Sequence, residues 1–164
     1  MSKNNKSLQV VKNVKNDEFY TQISYIENEL QCYVEHFEEK VVYCNCDNPM
    51  SSNFWLYFVN NFNNLKLRKL IATHYKTNQP STKSVMTKTG EIEVTNLIGN
   101  GDFRSDECIE LLKESDIIVT NPPFSLFRDH MDLIFKYNKK FIILGSLNAV
   151  TYTNVFPFLA FNKM

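Results

Sequence analysis

The chain has 164 residues, 43% hydrophobic and 13% aromatic, with 18 Lys and Arg against 18 Asp and Glu. That composition carries one domain with a sizeable core and excludes disorder beyond the ends. Zero formal charge counts against an autonomous nucleic-acid binder, which carries a basic face. No run approaches the roughly 18 apolar residues of a membrane span, and the polar N-terminus lacks a signal-peptide core. The four cysteines (Cys32, Cys44, Cys46, Cys108) have no zinc-ligand spacing. They read as buried thiols of a cytosolic protein without a metal site.

In chain order, residues 1–15 are rich in Asn, Lys and Ser and read as a flexible leader. Asp17-Glu18-Phe19-Tyr20-Thr21 precedes an amphipathic helix in which Ile23, Ile26, Leu30, Val34 and Phe37 recur at three- and four-residue steps, through about residue 38. Taken by itself the segment caps that helix, with Thr21 as N-cap. Lys40 to Cys46 is the first buried strand, ending in Asp47-Asn48-Pro49-Met50-Ser51-Ser52. Ser51 or Ser52 caps the next helix, whose Phe54, Trp55, Phe58, Val59 and Phe62 face the core. An acid at a strand end followed by the free N–H groups of a helix start suits a nucleotide-type ligand. The usual Gly-rich loop is absent.

Leu67 to Tyr75 is the second strand, with His74 at its end as a structural or exposed residue. Residues 76–88 are polar and read as a loop, and Lys88-Thr89-Gly90-Glu91 as a hairpin turn. Ile92 to Ile98 leads into Gly99-Asn100-Gly101-Asp102-Phe103, where an Asx-type turn explains the glycines but not the Phe. Ser105 caps a helix through Lys113 with Ile109 and Leu112 inward. Asp116 to Thr120 is a continuous β-branched run, the mark of a buried parallel strand. Pro122 and Pro123 stop it and stiffen the chain past its carboxyl end, where open α/β sheets place ligands. Leu126 to Tyr137 is amphipathic, with Phe127, Met131, Ile134 and Phe135 inward. Lys140 to Gly145 is the next buried strand, and a hydrophobic aromatic stretch follows from Val155.

Asn121-Pro122-Pro123-Phe124 at the end of such a strand resembles the catalytic loop of methyltransferases that use S-adenosylmethionine and modify a planar nitrogen. The chemistry suits these residues. An exocyclic amine is a poor nucleophile because its lone pair is delocalised into the ring. The Asn121 side-chain oxygen and the Pro122 carbonyl are acceptors for its hydrogens, Phe124 is a stacking surface, and the Pro-Pro unit fixes them in advance. Six motifs then stand in order: Asp-Glu-Phe-Tyr-Thr, Val-Val-Tyr-Cys-Asn-Cys-Asp, Ser-Asn-Phe-Trp-Leu-Tyr-Phe, Ile-Ala-Thr-His-Tyr, Gly-Asp-Phe-Arg-Ser and Val-Thr-Asn-Pro-Pro-Phe-Ser-Leu-Phe. Together, from about Asp17 to about Phe156, they resemble the EcoRI-type adenine-specific DNA methyltransferase family.

The resemblance implies an α/β, Rossmann-like methyltransferase sheet that takes S-adenosyl-L-methionine and methylates the N6 amine of adenine in double-stranded DNA. It implies cofactor contacts from Phe19, Tyr20, Thr21, Asp47, Asn48, Pro49, Asp102 and Phe103, and a catalytic set of Asn121, Pro122, Pro123 and Phe124. Asp102 is expected to accept from the cofactor's adenine amine, with Phe103 against the ring. Family members are about twice as long. Residues 16–164 are therefore expected to form a partial domain, its sheet incomplete on the C-terminal side and its target-recognition region missing. The Phe141–Leu144 strand becomes an apolar edge. The expectation is a remnant, a fragment, or half of a split enzyme whose C-terminal half acts in trans. Asn48 and Asn100 depart from the pattern where acids are expected. The alternatives are methyl transfer to RNA or to a protein amide nitrogen, and a catalytically dead remnant or interaction module.

Overall fold

The computed structural model describes residues 22–161. Six strands form one sheet: β1 (Val41–Cys44), β2 (Lys69–Thr73), β3 (Thr82–Thr87), β4 (Ile92–Asn96), β5 (Ile117–Thr120) and β6 (Lys140–Ile143), in the order β4-β3-β2-β1-β5-β6. β1 pairs in parallel with β2 and β5, and β5 with β6. The β3–β4 hairpin extends the sheet antiparallel from β2.

β1 and β5 are buried at every position, as their unbroken apolar runs require. Successive side chains alternate between faces. Val42 and Cys44 join a core with α1 (Ile23–Leu30) and α2 (Asn53–Asn61), where Ile26, Leu30, Phe54, Trp55 and Phe58 pack. Val41 and Tyr43 face the opposite side, where Leu111 and Leu112 of α3 (Asp106–Glu114) and Ile134 of α4 (Phe127–Lys136) pack. A short α5 (Phe156–Ala160) follows β6, and Val155, just before it, packs with Phe127 and Met131. Helices on both faces of a mostly parallel sheet make this the α/β, Rossmann-like architecture read from the sequence. Trp55, at 5% exposure, is core as expected.

Four local expectations are corrected. Residues 76–88 are not all loop. They contain β3, whose buried Ser84 and Met86 alternate with half-exposed Lys83, Val85 and Thr87, so one face stays polar and the apolar signal is diluted. The first helix is α-helical only to Leu30 and then tightens into 3-10 turns over Gln31–His36. Cys, Tyr and Val are mediocre helix formers, and the tightening turns Val34 outward while Phe37 stays fully buried. Cys32 is exposed rather than buried, because it lies on that outward turn. Ile109 is half-buried, and Cys108, Leu111 and Leu112 carry the inner face of α3. Caps follow expectation at Ser52, which accepts from the Trp55 N–H, and at Ser105, which accepts from the Cys108 N–H. The α1 N-cap is Gln22, without a side-chain bond; Thr21 and the leader lie outside the described residues. No helix among the described residues is long and apolar enough to cross a membrane.

Candidate active site

β1 sends the chain to β2 on one side and has β5 on the other, so the strand order reverses beside it. Ligands of open α/β sheets bind outside the strand carboxyl ends at such a switch point. A cavity of about 600 Å³ lies there, within the range of small-ligand pockets. Its polar wall comes from the exits of β1 (Asn45, Cys46, Asp47, Asn48), β2 (His74, Tyr75) and β5 (Asn121, Pro123). The segment before α3 adds Gly101, Asp102, Phe103 and Arg104, while Ile26 and Phe54 make an apolar flank.

Asp47 ties three of these elements together. Its Oδ1 accepts from the Ser52 hydroxyl at 2.6 Å and its Oδ2 from the Thr120 hydroxyl at 2.5 Å. The Asn121 N–H adds a backbone hydrogen bond to the same carboxylate. Ser52 also caps α2, and Thr120 Oγ1 accepts from the Cys46 N–H. Burial pushes the Asp47 pKa up, and the donors from Ser52, Thr120 and Asn121 pull it partly back.

Asp102 is held differently. Arg104 grips it with three N–H groups: its backbone N–H and Nε on Oδ1 at 2.9 and 3.0 Å, and Nη2 on Oδ2 at 2.8 Å. The guanidinium holds the Asp102 carboxyl below its usual range. A carboxylate has about four lone-pair positions, so these three donors leave room for one more, on Oδ2. Arg104 Nη1 also reaches Asp129 on α4 at 2.9 Å. Gly101 sets the loop: its φ is +79°, and a Cβ there would stand 2.1 Å from the His74 carbonyl oxygen. Only glycine fits both constraints. His74 is half-buried in the wall, its pKa lowered by burial and by Lys76. Asn121 follows β5 directly, and its side-chain oxygen is buried. Presenting that oxygen to a substrate takes a turn of the amide about its last torsion, a soft, roughly two-fold rotation.

Of the residues expected at a site, the fold brings Asp47, Asn48, Asp102, Phe103, Asn121 and Pro123 to one cavity. Pro122 is buried beside it, and Pro49 and Phe124 are half-buried off its wall; Phe124 opens the 3-10 turn Phe124–Leu126. Phe19, Tyr20 and Thr21 lie outside the described residues. Sequence reasoning missed Asn45, Arg104, Thr120 and His130. His130 had a signal: with Phe127, Met131 and Ile134 it completes the i, i+3, i+4, i+7 face of α4. Its Nε2 meets Asn45 Oδ1 at 2.9 Å, and its ring lies edge-on to Phe103 at 5.1 Å.

Known proteins resemble this chain over most of its length. Type II methyltransferase M.EcoRI of Escherichia coli is 50% identical over 177 residues, covering 98% of this chain and 54% of that protein. Type II methyltransferases M.MgeORF184P of Mycoplasma genitalium and M.MpnI of Mycoplasma pneumoniae are 46% and 45% identical, over 93% and 88% of this chain and 48% and 45% of theirs. The chain thus spans about half the length of these curated relatives. No solved structure matches it. The family described as adenine-specific methyltransferase EcoRI matches residues 7–164, a stretch that contains every described wall of the cavity, and the chain belongs to that family.

Proposed function

We propose that this chain is the cofactor-binding and catalytic part of an enzyme that transfers a methyl group from S-adenosyl-L-methionine to the N6 amine of adenine in double-stranded DNA. The observation that carries the reading is the convergence of Asn121 with Asp47, Asp102 and Phe103 on one cavity at the switch point. The wall suits a sulfonium-bearing nucleoside. It offers two carboxylates and an aromatic ring, and its Arg104 cation is offset by Asp102 and Asp129. Asp102, with one lone-pair position left, and Phe103 hold the adenine end, and Asp47 faces the body of the cofactor. Bound there, the cofactor supplies an electrophilic methyl whose departure leaves a neutral thioether, so the reaction needs no metal.

The protein's own part is positioning. The Asn121 side-chain oxygen and the Pro122 carbonyl accept the two hydrogens of a flipped-out adenine amine and favour a tetrahedral nitrogen whose lone pair faces the methyl. Hydrogen bonds from the Asn121 backbone to Asp47, and from Thr120 beside it, fix the start of that loop before the base arrives. We assign DNA reading to a region outside these residues, since the chain's 18 Lys and Arg are balanced by 18 Asp and Glu.

Calorimetric titration of the chain with S-adenosylmethionine tests the cofactor half: we expect saturable binding that Asp102→Ala weakens by about tenfold or more. In an active assembly, made by adding the complementary half of the Escherichia coli relative, Asn121→Ala is expected to cut transfer to duplex adenine by roughly a hundredfold or more with cofactor affinity unchanged. Full activity in that variant sinks the mechanism.

A further inference from the structure

Asn45 and His130 are both buried against the site, and the proposed chemistry uses neither. Asn45 is 4% exposed in the cavity wall, and its Oδ1 lies 2.9 Å from Nε2 of His130, which is 1% exposed on α4. Burial pushes the His130 pKa down to about 4, so at neutral pH the ring has a single N–H. Two arrangements satisfy the contact. In one, His130 Nε2–H donates to the Asn45 oxygen and Nδ1 is a bare lone pair. In the other, the Asn45 amide donates to Nε2 and the proton sits on Nδ1. Nδ1 is buried with no hydrogen-bond partner among the described residues. The second arrangement orphans a buried N–H donor, the first only an acceptor, and orphaned donors are the rarer and costlier of the two. The Asn45 oxygen therefore faces His130. Its amide nitrogen has no acceptor among the described residues, and Asn45 lines the cavity.

We infer that Asn45 is a cofactor-binding residue whose side-chain N–H donates to an acceptor atom, a carboxylate oxygen or ring nitrogen, of bound S-adenosylmethionine, and that His130 is the positioning residue that fixes which end of the amide faces the cavity. The inference rests on the function proposed above. It adds a neutral donor to a wall whose two carboxylates, Asp47 and Asp102, are acceptors. The same imidazole braces Phe103 edge-on, so one side chain of α4 sets both the donor and the aromatic surface.

The test is titration of the full 164-residue chain with S-adenosylmethionine, with thermal melting of each variant as a folding control. Asn45→Ala is expected to weaken binding about tenfold. His130→Leu is expected to weaken it comparably, and His130→Gln, whose amide N–H can still reach the Asn45 oxygen, to restore most of the loss. Wild-type affinity in Asn45→Ala overturns the binding role. A His130→Gln variant no better than His130→Leu overturns the positioning role. A folded wild type that binds nothing overturns the function proposed above, and this inference with it. Nitrogen NMR of the wild type gives a readout independent of the cofactor and of variant folding. The Nε2–H tautomer is expected at pH 7, and the Nδ1–H tautomer overturns the assigned orientation.

Discussion

The two rims of the parallel sheet are built from the same strands and treat polar groups in opposite ways. At the amino rim, Lys66 pairs with Glu38, Arg68 with Asp116, Lys69 with Glu114 and Lys88 with Glu39, all partly or largely in solvent. At the carboxyl rim, Asn45, Asp47, Thr120 and His130 are all at or below 5% exposure and satisfied largely by one another. The first arrangement shows that the fold closes its strand ends without removing charge from water. Taking a carboxylate and an imidazole out of water costs free energy that a stable sheet does not require. The costly rim is the one that surrounds the cavity.

The largest test of that contrast is Asp47. Replacing it by alanine leaves the Ser52 and Thr120 hydroxyls and the Asn121 N–H without their shared acceptor. We expect a loss of roughly 4 kcal/mol in urea unfolding. Asp47→Asn, which keeps the shape and one acceptor oxygen while removing the desolvated charge, should lose much less. Equal losses in the two variants would mean that charge, not hydrogen bonding, joins β1 to β5 and α2.

Next in size is the acid response of the buried histidine. Its pKa is about 4 in the folded chain against an ordinary 6.5. Between those values the unfolded chain takes up a proton that the folded chain refuses, so stability falls as pH falls. The full effect is on the order of 3 kcal/mol, complete near pH 4 and absent above pH 6.5. His74 is shifted the same way, while the raised carboxyl of Asp47 acts in the opposite sense, regaining stability in acid. The difference between wild type and His130→Gln isolates the single group. Parallel stability curves from pH 7 to 4 would mean that His130 is not buried as a neutral ring.

Much of this was legible in the sequence, and the rest was hidden for identifiable reasons. The β-branched runs of β1 and β5, the serine caps and the Pro-Pro stop are local signals. They located the strands and the exits on which Asp47 and Asn121 sit. β3 was obscured because a strand with one polar face looks like loop next to Pro80 and a Gly90 turn. Asn45 and His130 are separated by 85 positions, and nothing at either position names the other. Arg104 was readable as a charge near Asp102, but that it also reaches Asp129 on α4 depends on how the loop packs. Pairings across elements are set by tertiary packing, and a periodicity reading does not contain them.

The smallest expected effects lie at the amino rim, and they carry one exception that sharpens the comparison. The Lys88–Glu39 pair, with side chains 61% and 57% exposed, meets high dielectric and screening ions. Lys88→Ala should therefore change stability little, and lose even that in about 1 M salt. Arg68→Ala should behave the same way, because the arginine is also more than half exposed. Its partner should not. Asp116 Oδ2 accepts from the backbone N–H of buried Val41 at 2.8 Å, at the start of the central strand, as well as from Arg68. Asp116→Ala is expected to cost about 1–2 kcal/mol, with a component that salt does not remove. Paired urea titrations at low and high salt separate the two. If Asp116→Ala proves as salt-sensitive and as mild as Arg68→Ala, its bond to Val41 is not a buried polar link. If it keeps its salt-independent part, one carboxylate there does for Val41 what Asp47 does for Asn121, joining β1 to β5 from the other end.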